Sequence, residues 1–363
     1  MEKYKDNPSL KKQNKVERNE ADSINNDLEN PERLLINKEA IENKGLFLIK
    51  PANEWLELAK TTRAPQMLFS EFWHEDEICI LFADSNLGKS ILAVQIANSI
   101  SKGKQINGFV LEAKKQPVLY FDFELSAKQF EFRYAVKSET QSGFSDHYAF
   151  DQNFIRVEFN PNCELTTESS TDKYLYQSLE GSIIETGAKI LIVDNITYLK
   201  DDTERSKDAL PLMKYLKSLK SKHGLSILAL AHTPKRDLTK NINQNDLGGS
   251  KMLYNFIDSC FALGKSTKDE NIRYIKQIKA RNTGMIYGAE NVVMCELNKP
   301  INFLNFEFLE YGSEWEHLKH RENEISEKTK QRVKDLSKKG MSQRDIKNEC
   351  SIGLGSVNKI LNN

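Results

Sequence analysis

Gly88-Lys89-Ser90 closes a short polar loop that follows the apolar run Ile78–Phe82 and precedes the run Lys89–Lys102. Glycine, lysine and a hydroxyl in that order, at a strand-to-helix junction, point to phosphate chemistry. The loop's N–H groups cradle the oxygens and the helix start adds positive potential. The lysine reaches the outer phosphates, and the hydroxyl ligates Mg²⁺. The binding segment is Asp84, Ser85, Asn86, Leu87, Gly88, Lys89, Ser90 and Ile91, and the ligands it predicts are ATP and Mg²⁺. Ala83 stands where such loops usually begin with glycine, which restricts the turn out of the strand. The context carries the reading: Leu92, Ile96 and Ile100 recur every fourth residue, and Ile91 and Val94 widen the apolar face.

A triphosphate site of this kind needs a second carboxylate for Mg²⁺, at the end of a buried strand beside the loop strand. Asp194 ends the apolar run of KILIVD and fits that place, with Ser90 as the other metal residue. Glu124 ends PVLYFDFE and is the candidate general base for the water that attacks the γ-phosphate. Asp122, two residues earlier, is the alternative, and a helix-start acid is the plainer reading of Glu124. His232 ends SILALAH, where a polar side chain can contact the γ-phosphate or the water. All three strand ends fall on the edge at which open α/β sheets bind ligands.

The elements that must position these residues alternate. Strands are expected at Ile78–Phe82, Pro117–Glu124, Phe154–Phe159, Lys189–Asp194 and Ser226–Ala231, with helices at Lys89–Lys102, Ala127–Val136, Asp172–Glu185 and Asp208–Lys222. Continuous apolar strands between helices argue for a mainly parallel sheet covered on both faces. After Gly264 strands and hairpins follow at Ile272–Ile278, Asn291–Leu297 and Ile301–Phe308. The chain thus divides into a charged, disordered tail (1–45), a lead-in segment packed on the core (46–76), an α/β domain (77–315) and a small helical unit (325–363). The 52 basic and 52 acidic residues cancel, so net charge selects no partner. The five cysteines are scattered without a CxxC pair, which argues against a disulfide framework or zinc site and for a reducing compartment. There is no apolar leader and no run of about 18 apolar residues to span a bilayer, so a soluble cytoplasmic protein is expected.

A loop strand, then strands ending in Glu, in Asp and in His-Thr-Pro-Lys-Arg, resembles the RecA/DnaB superfamily over about residues 60–300, and within it the RepA-like replicative helicases of plasmids and mobile elements, a branch of the AAA-annotated ATPases. The resemblance implies a RecA-like core with C-terminal β-hairpins. It implies that Asp246-Leu247-Gly248-Gly249-Ser250 faces a central channel or the nucleotide. Gln277-Ile278-Lys279-Ala280-Arg281-Asn282 is similar to the family's KxRN segment, which makes Lys279 and Arg281 fingers that act on a neighbouring subunit's nucleotide. Such fingers require a homo-oligomer, a hexamer by the resemblance, with single-stranded DNA in its channel. No primase-interaction domain of the DnaB type is visible, and the channel loops do not match residue by residue.

The last residues read as three helices, Thr329–Lys338, Ser342–Cys350 and Leu354–Leu361, around Ile346, Cys350, Ile352, Val357, Ile360 and Leu361. GMSQRDI…IGLGSVNKIL resembles the helix-turn-helix of resolvases and many regulators. That resemblance places Gly355, Ser356, Asn358 and Lys359 near bases or phosphates of duplex DNA, with Arg344 and Lys347 on its backbone. Lys347 departs from the small residue usual there. Residues 328–363 hold nine Lys/Arg against three acids, which suits phosphate contact. A helical cap or oligomerisation module is the plainer reading. The expected function is a RecA-like ATPase acting on DNA, with an ATP-switched, sequence-specific DNA-binding regulator or initiator as the alternative. A small-molecule kinase is disfavoured, because nothing resembles an acceptor-binding lid.

Overall fold

The computed structural model describes residues 47–138, 143–163, 171–199, 209–234, 236–248, 251–319, 327–350 and 352–362. The charged segment 1–45 of the sequence reading lies outside them, as do Gly249 and Ser250. The chain forms two compact units, Met1–Ala64 and Pro65–Asn363. In the first, helix α1 (Ala52–Thr61) begins after Pro51 and has no buried residue. No helix among the described residues is long and apolar enough to cross a membrane.

The second unit opens with the short strands β1 (Met67–Phe69) and β2 (Trp73–His74), which place Leu68, Phe69, Phe72 and Trp73 in a core. Then come β3 (Ile78–Ala83), α2 (Lys89–Lys102), β4 (Val118–Asp122), α3 (Ala127–Arg133), β5 (Ala135–Lys137), β6 (Phe144–His147) and β7 (Phe154–Val157). They are followed by α4 (Thr171–Thr186), β8 (Ile190–Asp194), α5 (Ala209–His223), β9 (Ser226–His232), α6 (Lys251–Phe256), β10 (Ser259–Lys265), β11 (Ile272–Lys279), β12 (Val292–Asn298) and β13 (Asn305–Gly312). The chain closes with α7 (Glu327–Lys338), α8 (Gln343–Cys350) and α9 (Leu354–Leu361).

One sheet carries the order β13-β12-β11-β10-β3-β9-β8-β4-β7. From β10 to β7 every pairing is parallel, and β11, β12 and β13 add an antiparallel edge. Strand alternation splits the apolar residues between two cores: Ile78, Ile80 and Phe82 point into one, Cys79, Leu81 and Ala83 into the other. Helices cover both faces, which is why these strands read as unbroken apolar runs. The expected α/β architecture, mainly parallel with C-terminal hairpins, is what the chain adopts.

Four expectations are corrected. The strand beside the loop strand β3 is β9, and β8 with Asp194 lies one strand further out. The helix expected over Ala127–Val136 stops at Arg133; a Ser126–Gln129 capping box starts it, and β-branched Val136 joins a hairpin with Ser145 instead. The last strand begins at Asn305 rather than Ile301, because Asn298 pairs with Asn305 and Lys299–Leu304, with Pro300, forms the connection. Strand β10 was not foreseen. Its Ala-Leu-Gly stretch has weak strand propensity, yet it pairs with β3 on the side away from β9.

The terminal helices α7, α8 and α9 close on their own core of Val333, Ile346, Val357 and Ile360, with Leu336, Cys350, Ile352 and Leu361 half-buried around it. Ser342 caps α8 by accepting from Asp345 N at 3.3 Å, and Gly340 in a left-handed conformation ends the turn after α7.

Candidate active site

The loop runs from Ala83 at the end of β3 to Gly88, the residue before α2. Gly88 has φ +99°, and a Cβ there would come 2.8 Å from the Phe306 ring, so glycine is required on both counts. Asn86 holds φ +61°, a conformation that Asn tolerates. Lys89 is buried and its Nζ donates to Ala83 O (2.8 Å) and Asp84 O (3.1 Å) while contacting His232 Nδ1 at 3.2 Å. Burial lowers its pKa, and Glu124, Asp194 and Asp84 work against that shift.

Parallel register brings His232 level with Ala83 and Asp194 level with Asp122. The three strand ends therefore meet above the loop, as expected from the sequence. Asp194 is buried; Tyr120 Oη donates to its Oδ2 at 2.8 Å, and the Ser90 hydroxyl hydrogen-bonds its carboxyl. Desolvation raises its pKa to about 6, against the hydrogen bonds from Ser90 and Tyr120. A buried carboxylate beside the first hydroxyl of the helix is a donor set of hard oxygens, which fits Mg²⁺. Glu124 Oε1 accepts from Asn195 Nδ2 at 2.6 Å and lies 3.3 Å from His232 Nε2. The hydrogen bond from His232 is the largest influence on its carboxyl and holds it below the usual range, against a smaller cost of burial.

Asp122 is engaged elsewhere. Its Oδ1 accepts from Glu124 N (3.2 Å) and Leu125 N (2.9 Å), and its Oδ2 accepts from Arg156 Nε (2.9 Å). It shapes the turn that presents Glu124. Gly248 N donates to His232 O at 3.0 Å, and a Cβ at Gly248 would collide with that carbonyl. The described part of the Asp246–Ser250 element thus rests on the strand end that carries His232.

Lys279 and Arg281 are not brought to this edge. Strand β11 is antiparallel to β10, so Lys279 pairs with Cys260 near the amino ends of the parallel strands. There Lys279 Nζ donates to Tyr254 O at 2.6 Å, and half-exposed Arg281 meets Asp258 at 2.9 Å.

Sequence reasoning missed two cations near the loop. Arg236 Nε lies 3.6 Å from Asp84 Oδ2, and buried Arg273 contacts Leu87 O at 3.4 Å. Arg236 carried a signal, four residues after His232; Arg273, the second residue of β11, carried none. A cleft of about 860 Å³ opens here, lined by Asp84, Leu87, Arg236, the 265–271 turn and His317–Lys319.

The helical tail leaves Arg344, Lys347, Gly355, Asn358 and Lys359 exposed and Ser356 half-buried.

The family described as AAA domain (AAA_25) matches residues 49–237, just over half of the chain. No curated protein matches the chain. Among solved structures, a KaiC-like protein of the hyperthermophilic archaeon Pyrococcus horikoshii OT3 is similar over 65% of this chain and 91% of its own, at 12% identity and a TM-score of 0.43. The family match spans the loop and the strand ends carrying Glu124, Asp194 and His232, and the chain belongs to the AAA domain family.

Proposed function

We propose that this ATPase acts on DNA as a RepA-like replicative helicase or mobilisation protein of a plasmid or mobile element, working as a ring of identical subunits. What supports this most is the division of charged groups across one sheet: Lys89, Glu124, Asp194 and His232 at the carboxyl edge, Lys279 and Arg281 at the opposite one. A site that lacks its own fingers is completed by a neighbour's. The oligomer is a hexamer by the resemblance, with single-stranded DNA in its channel.

Each residue then has a task. Ser90 and Asp194 hold Mg²⁺, which offsets phosphate charge when bound. The loop's N–H groups and Lys89 hold the outer phosphates, in place of the carbonyls and imidazole that now occupy the ammonium. Glu124, kept ionised by His232 and Asn195, orients the attacking water and takes its proton. His232 joins Lys89 to Glu124 and registers whether the γ-phosphate is present. Lys279 and Arg281 stabilise transition-state charge in trans. The nucleoside end of ATP takes the cleft beside Asp84 and Leu87. The tail reads duplex DNA as a helix-turn-helix, with Gly355, Ser356, Asn358 and Lys359 toward bases or phosphates and Arg344 and Lys347 on the backbone.

A second reading, an ATP-switched DNA-binding regulator without helicase activity, draws on the separate core of the tail. One experiment distinguishes them: ATP hydrolysis with and without single-stranded and duplex DNA, sized by light scattering with and without ATP. Stimulation by single strands in a ring-sized particle supports the motor. Hydrolysis indifferent to DNA, or a monomer throughout, overturns it in favour of the regulator.

A further inference from the structure

Arg281 lies two residues beyond Lys279, the last residue of β11 and the last that pairs with β10. Past the end of the ladder its guanidinium is placed by a side chain: Nη1 donates to Asp258 Oδ1 at 2.9 Å. Asp258 sits between α6 and β10 and is itself firmly held. Its N–H donates to Ile78 O at 2.8 Å, and its Oδ2 accepts from Ile78 N at 2.9 Å and from Lys220 Nζ at 3.2 Å. Ile78 is the first residue of β3, the middle strand of the sheet, so the carboxylate is fixed to the most rigid part of the chain. Lys279 is held at the same corner. Its Nζ donates to Tyr254 O at 2.6 Å and lies 4.7 Å from the centre of the Tyr254 ring.

We propose that Asp258 is the positioning residue of Arg281, holding its guanidinium ready for the nucleotide of the adjoining subunit. The inference rests on the reading of Arg281 as a finger that serves a neighbour's site. Asp258 is 16% exposed on its side chain and Arg281 50%, so a fixed carboxylate grips a cation that still faces solvent. A pair this open adds little to stability, and its main effect is to set where the guanidinium points. A guanidinium carries five N–H donors, so a bond through Nη1 leaves others for a phosphate oxygen. A free arginine gives up rotamer freedom on meeting a phosphate; one already held by Asp258 has given up much of it beforehand.

The test mixes separately purified full-length subunits and reads ATP hydrolysis. Asp258→Asn keeps an acceptor for Ile78 N but loses the charge that holds Arg281. Alone it should lower kcat by about tenfold, with KM for ATP changed less than about threefold. Mixed with Lys89→Ala subunits, whose own loop is disabled but whose fingers are intact, it should recover to several times the sum of the two rates alone. On an Arg281→Ala background, Asp258→Asn should change the rate less than about twofold, because it acts through Arg281. Thermal melts check folding, and Asp258→Ser, whose hydroxyl can also accept from Ile78 N, takes the same tests if Asp258→Asn is unfolded. Recovery by Arg281→Ala with Lys89→Ala, but not by Asp258→Asn with Lys89→Ala, would overturn the proposal and leave the fingers standing. Recovery in neither mixture would remove the finger reading and this proposal with it. A rate for Asp258→Asn alone at or above wild type would also overturn it, by showing that the carboxylate does not aid Arg281.

Discussion

Lys89 Nζ lies 3.2 Å from His232 Nδ1. An ammonium only donates, so Nδ1 accepts and the ring hydrogen sits on Nε2, directed at Glu124 Oε1 3.3 Å away. The imidazole thus links Lys89 to Glu124. Under the proposed roles, an incoming γ-phosphate would compete for Lys89 and report through His232 to Glu124.

His232→Ala should therefore damage turnover more than binding. The expected result is a kcat lower by about 10²-fold with ATP affinity changed less than about threefold, measured by steady-state rates beside direct nucleotide titration. The pH profile adds a sign. His232 is the largest influence holding the Glu124 carboxyl down, so its removal raises that pKa. Activity that needs ionised Glu124 then falls off at a higher pH on the acid limb. An unmoved acid limb would separate His232 from Glu124.

Glu124→Gln and Asp122→Ala should fail in different ways. The first keeps the fold and ATP binding but loses about 10²–10⁴-fold in hydrolysis. The second removes a buried partner of Arg156, whose Nη2 lies 2.8 Å from Asp122 Oδ2, and should cost on the order of 3 kcal/mol in denaturant unfolding. If Glu124→Gln still turns over ATP at the wild-type rate, the general base lies elsewhere.

Much of this was legible because it is local. Apolar runs ended by Glu124, Asp194 and His232 show both the strand and its chemical terminus, and GKS shows the loop. Sheet order was not legible. That β9 separates β3 from β8 depends on pairings between distant segments, and so does the unforeseen β10. The contacts of Arg273 with Leu87 and of Phe306 with Gly88 likewise join residues about two hundred positions apart, where no periodicity signals them. The tail was readable because Ile346, Val357 and Ile360 lie close in sequence.

Asp194→Asn should stabilise the metal-free chain. Burial raises the Asp194 pKa from 3.8 to about 6, so the folded state holds this proton more tightly than the unfolded state does. The sign follows: its contribution is most favourable below about pH 4 and is lost as pH rises through about 6. At pH 7 the charged carboxylate costs on the order of 2–3 kcal/mol, which asparagine avoids. Melts in EDTA should show Asp194→Asn above wild type at pH 7 and level with it at pH 4, while Mg²⁺-dependent hydrolysis is lost. A lower melting temperature at pH 7 would contradict the burial cost.

Arg281 is 50% exposed on its side chain and paired with Asp258, far from its own loop. Arg281→Ala should fold normally, since an exposed ion pair is worth about 0–1 kcal/mol. Mixed with wild type at increasing fractions, it should depress hydrolysis more steeply than its proportion, because each variant subunit disables a neighbour's site. A strictly proportional decline would mean that every site is completed within its own chain.

The tail's exposed basic residues make a separate claim, testable through salt. Each phosphate contact on duplex DNA releases a counterion, so the slope of log affinity against log salt counts contacts at about 0.9 per phosphate. Lys359 is exposed on α9 and Arg344 on α8, outside the small core of Val333, Ile346, Val357 and Ile360. Lys359→Ala or Arg344→Ala should each weaken duplex binding and reduce the slope by about one, leaving ATP hydrolysis without DNA unchanged. Asn358→Ala should instead weaken binding to some duplex sequences more than others, because a contact to a base edge carries sequence information and a phosphate contact does not. Duplex binding that keeps its full salt slope in the Arg344→Ala and Lys359→Ala double variant would move the DNA-reading surface away from the tail and leave these helices as a cap on the ATPase.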